Sequence, residues 1–162
     1  MCELFAMSSR EKAALTYSLP EFSKNGSSLR SNRHGWGIAL SRDRDAILIK
    51  EPEPATNSRW VRFIADHAIP AKVAIAHVRD ATRGAHTMEN THPFRRALGR
   101  RIHLFAHNGT LEDIEEHYDP RGHHYRPIGE TDSELAFCLL LSQLKPFYDE
   151  EDLPPLDRRF GV

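Results

Sequence analysis

Two cysteines, Cys2 and Cys138, are too few in 162 residues for a disulfide framework or a four-thiolate zinc site, and their separation matches no redox pair. That scarcity suits a reducing compartment. An excess of one charge is missing too: 22 Lys and Arg against 23 Asp and Glu leave a formal net charge of −1, with no field to gather nucleic acid or anionic lipid. No apolar run approaches the ~20 residues of a membrane span, and Met1-Cys2-Glu3-Leu4 lacks the charged and apolar regions of an export signal. These absences predict a cytoplasmic protein with neither nucleic acid nor membrane as partner. What is present is enough for a core: at 40% hydrophobic residues the chain fits one domain of ordinary size, and it contains no internal repeat.

The apolar pattern predicts alternating strands and helices. Residues 4–7 read as a strand that buries the chain start, and residues 8–33 as mostly loop, with a short helix near 11–17. Two apolar stretches, 36–40 and 46–49, joined by Ser41-Arg42-Asp43-Arg44-Asp45, read as a β-hairpin. Trp60, Val61, Phe63, Ile64 and Ala68 recur at helical spacing in a helix over 58–67 that covers one sheet face and is ended by Pro70. Residues 73–78 and 102–107 read as strands, joined by a loop over 79–101 that carries six arginines against only Asp80 and Glu89. A short helical piece follows at 111–117. Thr131-Asp132-Ser133-Glu134 has the capping-box spacing and opens a helix whose 135–141 run is apolar all round and so is buried between layers. The acidic, Pro-containing stretch 145–162 reads as a loop or linker, so the domain is placed at 2–144.

Cys2 is the sharpest chemical feature. Removal of Met1 would put a thiol and a free α-amine on one residue, and with pKa values of about 8.5 and about 7.7 to 8.0 the amine can take the thiol proton near neutral pH. The alternative is a small apolar residue in an edge strand. A thiolate attacking a carbonyl needs donors for the oxyanion, which the Asn108 side chain and the Gly109 N–H can supply; alternatively Asn108-Gly109 is a turn after a strand. Arg79 can grip a carboxylate with two parallel hydrogen bonds, or be a solvated charge. Asp132 either answers the helix dipole or pairs with Arg79 as the amine end of an amino-acid recognition set. Ten histidines invite a metal, but His103 and His107 on one strand face and His123-His124 in a polar loop match no dedicated ligand spacing. No metal or cofactor is therefore expected. Cys138 is read as helix packing.

Six segments occur in one order: Met1-Cys2-Glu3-Leu4, His34-Gly35-Trp36-Gly37-Ile38, Ala76-His77-Val78-Arg79, Glu89-Asn90-Thr91-His92-Pro93-Phe94, Ala106-His107-Asn108-Gly109 and Gly129-Glu130-Thr131-Asp132-Ser133-Glu134. In that order the chain resembles the class II glutamine amidotransferases, in particular the small stand-alone YafJ-type bacterial members, from Cys2 to about residue 144. The resemblance implies an α+β fold of N-terminal nucleophile type, a four-layer α-β-β-α sandwich incomplete at its C-terminus, because the family domain continues beyond this length. It implies Cys2 as nucleophile once Met1 is removed, Asn108 and Gly109 as oxyanion hole, Arg79 as clamp on the glutamine α-carboxylate and Asp132 as partner of the α-amine. The activity it implies is cleavage of the carboxamide of glutamine or a γ-glutamyl amide through a γ-glutamyl thioester, with an ammonia-accepting partner left open. Sugar-synthesising members carry a Trp after the loop arginine where this chain has Asp80, so a different lid and no synthase are expected. The alternatives are a non-catalytic, truncated remnant that binds a ligand or partner and, third, a metal-dependent hydrolase.

Overall fold

The computed structural model describes residues 2–27, 32–81, 84–119, 121–122, 124–150 and 153–160. Met1 and His123, on which expectations about processing and metal binding fall, lie outside them. The hairpin at 36–51 forms as expected. Strand β2 (Trp36–Arg42) pairs antiparallel with β3 (Asp45–Glu51) from Trp36↔Glu51 to Arg42↔Asp45, and Asp43 turns the chain with φ 50°. The other edge of β2 pairs with β4 (Pro70–Val78), and β4 pairs in turn with β1 (Glu3–Ala14), giving the antiparallel order β1-β4-β2-β3.

Helix α1 (Ser18–Ser23) and helix α2 (Arg59–Asp66) cover one face of this sheet, where Leu19, Val61 and Ile64 pack with Trp36, Ile38, Leu40, Ala74, Ala76 and Val78. The α2 helix starts at the expected place because Ser58 Oγ accepts the N–H groups of Trp60 and Val61, at 3.1 and 3.4 Å. It stops at Asp66, ahead of Pro70, which instead begins β4, where its missing N–H is tolerated.

Three expected loops contain regular structure. Strand β1 runs on to Ala14 through a register shift between Ser8 and Ala13, so the short helix expected at 11–17 forms later, at Ser18–Ser23. The strand is paired with β4 over Glu3–Ser8 and again at Ala13 and Ala14, and that partner is supplied only by the tertiary fold. Within the arginine-rich 79–101 segment, β5 (Phe94–Leu98) pairs with β6 (Arg101–Phe105) around Gly99 and Arg100, both at φ 57°. Two left-handed residues in a two-residue turn match the right-handed twist of a hairpin. Finally, α3 (Asp132–Glu150) passes through Pro146, and α4 (Leu156–Phe160) follows, so the stretch expected as loop is largely helical. Phe137, Leu141, Leu144 and Tyr148 continue one apolar stripe, and its packing on Phe94, Leu98 and Phe105 outweighs the hydrogen bond that Pro146 cannot make.

The second sheet, with α3 on it, lies against the side of the first sheet opposite α1 and α2. Lys50 sits over the Phe94 ring, and Gly37 is approached so closely by the His92 carbonyl that a Cβ there would overlap it. The order of layers is therefore helix, sheet, sheet, helix, an α+β fold of the expected kind. Away from the second sheet that face is open, with Leu4 and Val73 each 40% exposed.

Candidate functional site

The antiparallel register of β1 and β4 creates the site. Glu3 pairs with Val78, so Cys2, one residue before the strand, falls beside Asp80, two residues after it. The Asp80 N–H donates to Cys2 Sγ at 3.1 Å, and the thiol faces the Asp80 carbonyl at 3.4 Å. Burial pushes the Cys2 thiol above its ordinary value, the Asp80 N–H opposes that shift, and the Asp80 carboxylate adds to it. Such a sulfur needs a base to become a thiolate. While Met1 is attached, the Cys2 nitrogen is a peptide nitrogen and cannot be that base.

The other candidates converge on the same cavity. Cys2, Arg79, Gly109 and Asp132 line it, and Asn108 reaches the chain start by donating from Nδ2 to the Cys2 carbonyl at 3.0 Å. Gly109 has φ +152°, and a Cβ there would stand 3.1 Å from His107 Nε2, so both the backbone conformation and the space favour glycine. Arg79 is 3% exposed; its Nη1 donates to the Ala85 carbonyl at 2.9 Å and its Nη2 to that of Gly84 at 3.3 Å. The exposed-charge alternative is thereby excluded. Asp132 opens α3 with its carboxylate turned back onto the chain, Oδ1 accepting the Ser133 N–H at 2.7 Å and Oδ2 the Leu111 N–H at 2.8 Å.

The capping box is half formed. Thr131 Oγ1 accepts the Glu134 N–H at 3.2 Å, but the Glu134 carboxylate pairs with Arg96 and accepts the N–H groups of Ile128 and Gly129. The cavity has room of only about 30 Å³ and opens to solvent. A hollow of about 500 Å³ bounded by Pro54, Trp60 and Phe63 is roomier but contains neither thiol nor Arg79.

His92 and His107, given no role of their own by the sequence beyond belonging to two of the shared segments and to the ten histidines, both line the cavity. Their signal was present in the segments that contain them, but their placement needed the second sheet. The His92 ring packs against His77, centroids 4.3 Å apart, with both rings buried. Burial lowers His77 to about 4, helped by the Arg79 charge, and lowers His92 to about 2, helped by His77 and Arg79. The four ring nitrogens lack a hydrogen-bond partner among the described residues; the His107 backbone comes near His77 without the geometry of a bond. Among the described residues no three His, Cys, Asp or Glu side chains converge as a metal-ligand group.

Comparison with known proteins adds to this geometry. The family model described as glutamine amidotransferases class-II matches residues 1–158. The chain is 36% identical over 148 residues to the putative glutamine amidotransferase YafJ of Escherichia coli (strain K12), covering 91% of this chain and 57% of that one. It is 40% identical over 147 residues to an uncharacterized protein of Methanocaldococcus jannaschii, covering 90% of this chain and 39% of that one. The crystal structure of a predicted glutamine amidotransferase from Pseudomonas aeruginosa superposes with a TM-score of 0.65 at 28% identity, over 99% of this chain and 61% of the other. The chain thus spans about two fifths to three fifths of the length of these relatives.

Proposed function

The chain belongs to the class-II glutamine amidotransferases, and on that premise we propose that Cys2, freed of Met1, cleaves the side-chain carboxamide of glutamine or of a γ-glutamyl amide. The observation that carries this reading is the convergence of Cys2, Arg79, Gly109 and Asp132 on one cavity. Arg79 holds the substrate α-carboxylate and Asp132 its α-amine, which leaves the γ-carbonyl carbon facing Sγ. The Cys2 α-amine takes the thiol proton as Sγ bonds to that carbon, and the carbonyl oxygen gains negative charge against the Asn108 Nδ2–H and Gly109 N–H donors. Collapse expels the nitrogen, which leaves as ammonia or amine with the proton from the α-amine. Water then attacks the γ-glutamyl thioester, its proton passing back to sulfur through the same amine, and glutamate departs. With an acceptor protein in place the ammonia would be transferred to it.

No helix among the described residues is long and apolar enough to cross a membrane. Both thiols are free, which fits the reducing cytoplasm as the place of action.

Glutamate release by the processed chain tests the proposal. Cys2→Ala should abolish release while Cys138→Ala leaves it intact; the reverse pattern would overturn the assignment. The alternative is a ligand-binding module without turnover. It is distinguished by intact mass, because a chain purified from its native source with Met1 retained would bind glutamine and release no glutamate.

A further inference from the structure

Asn90 has no part in the chemistry above, yet it is 1% exposed and both ends of its amide are occupied. Its Oδ1 accepts the Glu130 N–H at 2.7 Å, and its Nδ2 donates to the Ala85 carbonyl at 3.1 Å. The same carbonyl accepts Nη1 of Arg79 at 2.9 Å. A carbonyl oxygen has two lone pairs, so Ala85 ties the guanidinium and the Asn90 amide to one atom. On the other side, Glu130 leads directly into Thr131, which caps the helix, and Asp132, which opens it.

The surroundings leave Asn90 little room to shift. A Cβ on Gly129 would overlap Asn90 Oδ1, and one on Gly84, at φ +76°, would stand 3.1 Å from its Nδ2 and 3.4 Å from Arg79 Nη2. The Gly129 backbone is itself held by the buried Glu134 carboxylate, which accepts the Ile128 and Gly129 N–H groups at 3.1 and 2.7 Å and pairs with Arg96. One planar side chain, an acceptor at one end and a donor at the other, thus bridges the segment that carries Arg79 to the segment that carries Asp132.

We propose that Asn90 is a positioning residue that fixes the separation of Arg79 from Asp132 and so determines how tightly an α-amino-acid headgroup is gripped at its two charged ends. The proposal rests on the glutamine reading, in which those two side chains hold the carboxylate and the amine. Asn90 touches no reacting atom. Its effect belongs to recognition of the headgroup and leaves the reactivity of the sulfur alone.

The test follows labelling of Cys2 in the processed full chain by intact-protein mass spectrometry. One probe is a diazoketone analogue of glutamine, and the other is iodoacetamide, which has no headgroup. In the wild type the diazoketone should label Cys2 saturably and glutamine should compete; failure of this arm overturns the glutamine reading and this proposal with it. Given wild-type labelling, Asn90→Ala and Asn90→Asp should each raise the half-saturating diazoketone concentration by about threefold to tenfold, the effect of one hydrogen bond. The maximal rate and the iodoacetamide rate should stay unchanged. Asn90→Asp keeps the acceptor for Glu130 and places a second acceptor against the Ala85 carbonyl, so it isolates the Arg79 end. In an Arg79→Ala background Asn90→Asp should add nothing, because the effect of losing the Ala85 contact alone passes through the guanidinium. Unchanged half-saturation in a folded variant, an equal loss toward iodoacetamide, additivity with Arg79→Ala, or failure of both variants to fold would each overturn the proposal.

Discussion

Cys2 and Cys138 carry the same thiol into different surroundings. Cys138 is fully buried in α3, and that burial pushes it up to about 11. Cys2 is half-buried and also raised, but the Asp80 N–H points at its sulfur and pulls the other way. Reaction needs both thiolate and access, so iodoacetamide should modify Cys2 in the folded chain, faster as pH rises, and reach Cys138 only on unfolding. Peptide mapping after limited alkylation checks this; equal labelling of the two would contradict the geometry. Arg79 belongs to the same scale. Losing a charged hydrogen-bonding partner typically costs about 1.5–3 kcal/mol. Arg79→Ala should therefore raise the KM for glutamine by roughly ten- to a hundredfold with a smaller change in kcat, and an unchanged KM in steady-state assays would rule out the clamp.

At the scale of elements, two positions report on how the layers are built. Ser58 caps α2, the helix that brings Val61 and Ile64 onto the first sheet. Ser58→Ala should cost about 1 kcal/mol in a urea unfolding titration, with the midpoint shifted and the slope unchanged. Gly99 turns β5 into β6 at φ 57°, and a Cβ there would run into the Tyr148 ring of α3. Gly99→Ala combines a left-handed strain of about 1 kcal/mol with overpacking of about 1–3 kcal/mol, so its loss of stability should exceed that of Ser58→Ala. The same contact is the physical reason that this hairpin has no signature in the local sequence. Arg95, Arg96, Arg100 and Arg101 dominate the segment, and the reason for a strand at Phe94–Leu98 lies on α3, about forty residues away in sequence, where Phe137 and Tyr148 supply its apolar partner.

At the scale of the whole molecule, the two sheets meet over buried imidazoles. His77 projects from β4 and His92 leads into β5, and both are held neutral, with values of about 4 and about 2 against an ordinary 6.5. The unfolded chain takes up protons below 6.5 that the folded chain refuses. The stability owed to neutral burial is complete above that value and is lost as pH falls toward 4 for His77 and further for His92, by up to about 1.4 kcal/mol per pH unit for each ring. Thermal midpoints recorded from about pH 7.5 down to about 4.5 should fall, and His92→Phe should flatten the slope by about half. Much of the architecture was already readable in the chain. The 36–51 hairpin, the Ser58-capped helix and the helix start at Thr131 are written in local periodicity and caps, because the interactions that make them lie within a few residues. Cys2, Asn108, Gly109, Arg79 and Asp132 were readable as candidates from residue type and from the ordered segments that contain them. Their meeting was not. It needed β1 to pair with β4 in one register, and it needed α3 to lie across β5 and β6 so that Asp132 and His92 line the cavity that holds Cys2. Contacts between residues tens of positions apart leave no period in a single sequence, and for that reason candidate residues could be named from the chain while their convergence on one cavity was decided by tertiary packing alone.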